Sequence, residues 1–189
     1  MPTRQEDDDK LVASLAASQG VSEEVIRARH RMWAEAEEPL LAELREAGVD
    51  IESVWYVRQN RRTPAAALPI LVRHLNYDYP DRVMEGIALG LAVRAAERWW
   101  PELKTHYINA TGPDAKVGLA NALIATATPK TADELVDLVK DPRNGETRVL
   151  LLQPLTKSKT PATRRFLEDL RTHELLGREA RRLVDGTRY

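Results

Sequence analysis

The amino-acid sequence predicts an all-helical fold, an α-solenoid of about five stacked helical hairpins behind an N-terminal capping helix. Three observations predict it. Helix-start signals recur along the chain, apolar residues follow them at helical spacing, and one apolar stripe returns every 32 residues, within the period range of repeat arrays. No segment sustains the two-residue alternation that a half-buried strand requires.

Residues 1–20 read as a flexible acidic tail, in which "EDDDK" is a solvating run rather than a metal site. Residues 21–37 read as the capping helix, with Val25, Met32 and Trp33 turned inward to cover the end of the array. The hairpins then fall at about 39–62, 63–100, 101–127, 128–159 and 160–184. Thr63-Pro64, Thr128-Pro129 and Thr160-Pro161 each set a capping hydroxyl before a proline in the first helical position, where the missing N–H costs nothing. Glu38-Pro39 and Trp100-Pro101 mark two further starts. Leu40, Leu41 and Leu44 form one apolar face, Leu68, Leu71, Val72 and Leu75 a second, and Leu135, Leu138 and Val139 a third.

The second helix of each pair carries the repeat. Steps of 32 residues from Val83 give Ile51, Val83, Ala115 and Thr147. Three residues on lie Val54, Gly86, Gly118 and Leu150; four on lie Trp55, Ile87, Leu119 and Leu151; eight on lie Gln59, Leu91, Leu123 and Leu155. Pro154 falls inside the last of these helices and is expected to kink it.

The stretch "PAAALPILVRHLNYDYPDRVMEGIALGLA", followed by "GPDAKVGLANALIATA" and "GETRVLLLQPL", resembles the HEAT and HEAT-like (armadillo-type) repeat family over roughly residues 39–184. The resemblance implies a right-handed solenoid whose second helices line a concave face, with Arg82, Glu85, Lys116 and Arg148 exposed there. The family's Arg near the start of the second helix is kept as Lys116 and Arg148, whereas Met84 and Glu52 stand in its place elsewhere. A ladder between repeats built on that residue would be incomplete.

A chain of 189 residues suffices for one domain with a sizeable core, and its 43% hydrophobic and 30% charged residues suit a folded soluble protein. No apolar run is long enough to span a bilayer, and the acidic N-terminus is unlike a secretory leader, so the expected location is the cytoplasm. The absence of cysteine excludes disulfides, thiolate nucleophiles, iron–sulfur clusters and cysteine zinc sites. Arginine outnumbers lysine by 21 to 7, which suggests a GC-rich bacterial genome. The net charge of −1 conceals a gradient: residues 1–60 carry −6, residues 61–142 are neutral, and residues 143–189 carry +5.

The candidates for chemistry are sparse. His30, His74, His106 and His173 show no ligand-pair spacing, and no nucleophile elbow, P-loop or dinucleotide turn occurs, so neither metal nor cofactor is expected. Asp78, Asp81 and Glu85 cluster at one turn, where Asp81 is placed to cap its own helix. Seven of the ten aromatic residues lie between 55 and 107: Trp55, Tyr56, Tyr77, Tyr79, Trp99, Trp100 and Tyr107. Trp55 is expected in the core. Tyr77, Tyr79 and at least one of Trp99 and Trp100 are candidates for an interface, where aromatic and Arg side chains are the usual anchors.

The expected function is a non-enzymatic scaffold or adaptor that binds a protein partner through its concave or aromatic surface. The alternative is nucleic-acid binding through Arg164, Arg165, Arg178, Arg181 and Arg182 in the basic C-terminal third. The family resemblance admits this too, since HEAT-like proteins include alkylpurine DNA glycosylases.

Overall fold

The computed structural model describes residues 4–58, 62–158 and 160–186, with side chains from residue 10 onward. Among the described residues the chain forms helices and turns, with no strand. No helix among them is long and apolar enough to cross a membrane.

The segment expected as a tail is instead helix α1 (Arg4–Gln19), although the side chains of its acidic run lie outside the described residues. Val12 and Ala16 pack with Leu15 and Val21 against Ile26 of α2 (Glu23–Glu46), forming a small cluster separate from the main core. Ser22 caps α2 through its side chain. The inward stripe differs from expectation, since Val25 and Met32 are exposed whereas Ile26 is buried and Trp33 half-buried. Ile26 and Trp33 lie seven residues apart on one stripe, and Val25 and Met32 lie on the next stripe round, turned toward solvent.

Glu38-Pro39 is likewise not a helix start, because α2 runs straight through Pro39. A proline inside a helix costs about 3 kcal/mol. Leu40, Leu41 and Leu44 beyond it are buried. At about 1.5–3 kcal/mol each, their burial offsets the proline.

A 3-10 turn follows over Val54–Tyr56, then α3 (Ala67–His74), α4 (Asp81–Gly90), a 3-10 segment over Arg94–Trp99, α5 (Trp100–Asn109) and α6 (Pro113–Thr126). The chain continues through α7 (Ala132–Lys140), a 3-10 segment over Pro142–Val149, α8 (Leu152–Leu155), α9 (Pro161–Asp169) and α10 (Gly177–Gly186). Two of the three Thr-Pro signals cap as expected. Thr160 accepts from the Thr163 amide, and Thr128 and Thr131 form a reciprocal capping box. Thr63 does not cap; its hydroxyl donates to the Gly90 carbonyl at 2.6 Å, and α3 begins only at Ala67.

Helix pairs α3/α4, α5/α6, α7/α8 and α9/α10 each pack internally. Their second members also pack in series: the 3-10 turn at Val54–Tyr56 on α4, α4 on α6, and α6 on Pro142–Val149. The 32-residue stripe is the buried edge of this series. Val83, Ile87 and Leu91, then Ala115, Leu119 and Leu123, then Leu151 and Leu155 are buried, while Leu150 is exposed and Gln59 lies outside the described residues.

Only α4 and α6 realise the stripe as full helices. In the fourth pair the break exceeds the expected kink, because Gly145 adopts φ 61°, ψ −146° and Pro154 sits within the four-residue α8. That backbone region is open essentially to glycine alone, and proline withdraws an amide donor.

The contact between α4 and α6 is close. A Cβ on Gly118 would sit 2.9 Å from the Glu85 carbonyl oxygen and 3.0 Å from the Ala88 methyl. Glu85 O belongs to helical backbone and has no rotamer by which to withdraw. Gly118→Ala should therefore destabilise the fold by about 1–3 kcal/mol. Gly186→Ala, whose Cβ would meet nothing within 4 Å, should stay within about 1 kcal/mol of the parent. Urea unfolding followed by circular dichroism measures both.

Candidate functional site

Asp81 organises the turn edge of the α4–α6 pair. The sequence places it as the cap of its own helix; instead Pro80 is the N-cap of α4, and the Asp81 carboxylate reaches the next hairpin. Its Oδ2 accepts from the Asp114 amide and its Oδ1 from the Ala115 amide, both at 2.9 Å. A carboxylate there meets free N–H groups and the positive end of the α6 dipole. Gly112 is required beside it, since a Cβ would lie 1.9 Å from Asp81 Oδ1.

This clamp brings the α3–α4 turn against the α5–α6 turn and leaves a groove of about 280 Å³ between them. Leu75, Met84, Ala115 and Leu119 form its apolar floor, and Tyr77, Asp78, Tyr79, His106 and Asn109–Gly112 its walls. Tyr77 is 51% exposed, with its ring 4.9 Å from that of His74. Tyr79 is half-buried, its hydroxyl 2.6 Å from His74 Nδ1.

His74 is itself buried. Its Nε2 lies 3.2 Å from Glu43 Oε2 without hydrogen-bond alignment, while Arg73 holds the same carboxylate. Burial, reinforced by the Arg73 charge, pushes the His74 pKa down, and burial does the same to His106 despite the opposing Glu102 charge. Both rings are held toward the neutral form.

The other predicted contact residues are dispersed. Arg82 is exposed, lies 3.9 Å above the half-buried Trp55 ring and pairs with Glu85. Burial raises the Glu85 pKa while Arg82 pulls it down. Arg82 also faces Trp33, His30 and Arg29 across a second cleft of about 380 Å³ beside the α1–α2 hairpin.

Trp100 is buried, its Nε1 donating to Glu134 Oε2 at 3.1 Å, and so ties α5 to α7 rather than to a partner. Trp99 is half-buried beneath the Arg98 guanidinium. Lys116 bridges hairpins, its Nζ donating to Asn144 Oδ1 at 3.2 Å and lying 4.6 Å from the Tyr107 ring centroid.

Arg148, expected on an exposed face, is buried, its guanidinium donating to the Gly145 carbonyl of the broken segment and to the Val139 carbonyl at the C-terminal end of α7. Arg164, Arg165 and Arg178 are exposed on α9 and α10, while Arg181 donates to the Arg171 carbonyl and Arg182 pairs with Glu179.

His106 is the groove residue that sequence reasoning passed over. A signal was present: it follows His74 by 32 residues, as Asn109 follows Tyr77 and Thr111 follows Tyr79. The groove is built from two turns whose residues stand 32 positions apart in the chain.

A pH dependence follows from the two lowered histidines. Below their ordinary value of 6.5 the unfolded chain binds protons that the folded chain resists. Their contribution is thus fully present above pH 6.5 and is lost as pH falls through the lower folded values; Glu85 acts in the opposite sense further into acid. Melting temperature followed across this range should fall on the acid side, and the double variant His74→Gln/His106→Gln should flatten the decline.

No protein-family model matches the chain, and no curated protein or solved structure matches it.

Proposed function

We propose that the chain is a HEAT-like helical-repeat scaffold, a right-handed solenoid of about five hairpins, that holds a protein partner along its turn edge. The single observation that carries this reading is the groove between the α3–α4 and α5–α6 turns, rimmed by the exposed Tyr77 and built from equivalent positions of neighbouring repeats. In-phase burial of the 32-residue stripe supports the repeat architecture. Stacked hairpins hold such a groove in fixed geometry, so a partner pays little for ordering the receptor.

Affinity capture from a native host tests the reading when the wild-type chain is compared with Tyr77→Ala/Asp78→Lys. A protein retained by the first and lost by the second supports it. Identical captured sets, or none above background, overturn it.

A second reading, nucleic-acid binding, is favoured by one observation. Arg164 and Arg165 are exposed and have no acidic partner among the described residues, and Arg178 is exposed beside Glu179, whose carboxyl is held low chiefly by Arg182 and further by Arg178. Against it, Arg171 and Arg182 on the same elements are already paired with carboxylates. Fluorescence anisotropy with short single- and double-stranded DNA would show binding that weakens steeply with salt and is lost in Arg164→Glu/Arg165→Glu/Arg178→Glu. Binding unchanged by those replacements would remove the C-terminal face from the account.

A further inference from the structure

We infer that the groove between the α3–α4 and α5–α6 turns is a receptor for an arginine side chain, carried on an extended segment of a protein partner. The inference rests on the scaffold reading above and adds the chemistry of the occupant.

Charge complementarity selects that chemistry. The groove is lined by Asp78 and Asp81 and by no Lys or Arg, in a chain that holds 28 basic residues. Asp81 spends its oxygens on the α6 amides, but Asp78 is exposed and has no hydrogen bond or ion pair among the described residues. An anionic ligand would meet this carboxylate unscreened by any neighbouring cation. A cationic ligand would complete it.

Two further features distinguish guanidinium from ammonium. The Tyr77 ring stands half free above the floor, and a planar cation stacks on such a face. The His106 ring lines the same groove with no hydrogen bond to another described residue, and burial holds it toward the neutral form, in which one ring nitrogen is an acceptor. A guanidinium offers N–H donors in a fixed fork that can reach a carboxylate and a second acceptor together, whereas an ammonium is a compact point charge. Below the head group, Leu75, Met84 and Leu119 give an apolar floor for the aliphatic stem. Asn109, Thr111 and Gly112 line the same groove and offer polar contacts to the chain segment that carries the arginine.

The test is a titration of the ¹⁵N-labelled full chain with an acetylated, amidated hexapeptide of alternating Leu and Arg. Peptides with Lys or with citrulline in place of Arg are run beside it. Amide shifts should gather on Tyr77, Asp78, His106, Thr111 and Gly112, with the Lys peptide several-fold weaker and the citrulline peptide silent.

Asp78→Lys, at an exposed position that the fold does not use, should weaken the Arg peptide at least tenfold with an unchanged melting temperature. Tyr77→Ala should weaken it less. Equal shifts with citrulline, or no shift with any peptide at millimolar concentration, overturn the inference. Shifts gathered on another face overturn it too, while leaving a peptide-binding scaffold standing. Concentration-dependent shifts of the same amides without peptide would assign the groove to the basic C-terminal face of a second copy, and would equally overturn it.

Discussion

The structure depends on the seam between α4 and α6, which is held by one charge-assisted contact and one steric permission. The contact is the Asp81 carboxylate on the first amides of α6; the permission is the missing side chains of Gly112 and Gly118. A carboxylate on two helix-terminal amides is worth more than a neutral hydrogen bond, because it satisfies donors that have no helical partner and meets the positive end of the dipole. Remove either glycine and the carboxylate or the helix backbone must move. The hairpins on both sides are located relative to this seam.

The same logic recurs with different residues along the chain. Glu37, buried on α2, accepts from the Val54 amide at 2.9 Å and from the Ser53 hydroxyl, fixing the first 3-10 turn. Tyr107 reaches Thr147 at 2.8 Å, Lys116 reaches Asn144, and Glu134 receives both Trp100 and Lys104. The first link joins α2 to the turn after it, the others cross from one hairpin to the next, and each satisfies a polar group that burial would otherwise leave costly. These hydrogen bonds set the register of a hydrophobic core that would tolerate sliding on its own, since apolar contact is not directional.

The groove is a product of that register. Tyr77 and Asp78 belong to one turn, His106 and Thr111 to the region of the next, and neither turn alone encloses space. The His74 cluster beneath Tyr77 and Tyr79 stiffens the first wall: its ring contacts both tyrosines, and its Nδ1 engages the Tyr79 hydroxyl. The exposed tyrosine therefore stands on a packed base.

The sequence by itself determined the helical class, the 32-residue stripe and the Thr160 and Thr128 caps. These are set by spacing and by hydroxyls acting on amides three residues away, and such local interactions are written within a few positions. It misplaced the features where distant packing overrode a local signal. Pro39 did not start a helix because leucines beyond it found a core; Thr63 did not cap because Gly90 offered a carbonyl; Asp81 crossed to another helix; Arg148 turned inward to the carbonyls of Val139 and Gly145. Tyr77 was legible as a candidate from composition and His106 from its 32-residue offset to His74, whereas the groove was not. A cavity between two turns exists only after both helices are docked, and docking was decided by where two glycines let backbones approach.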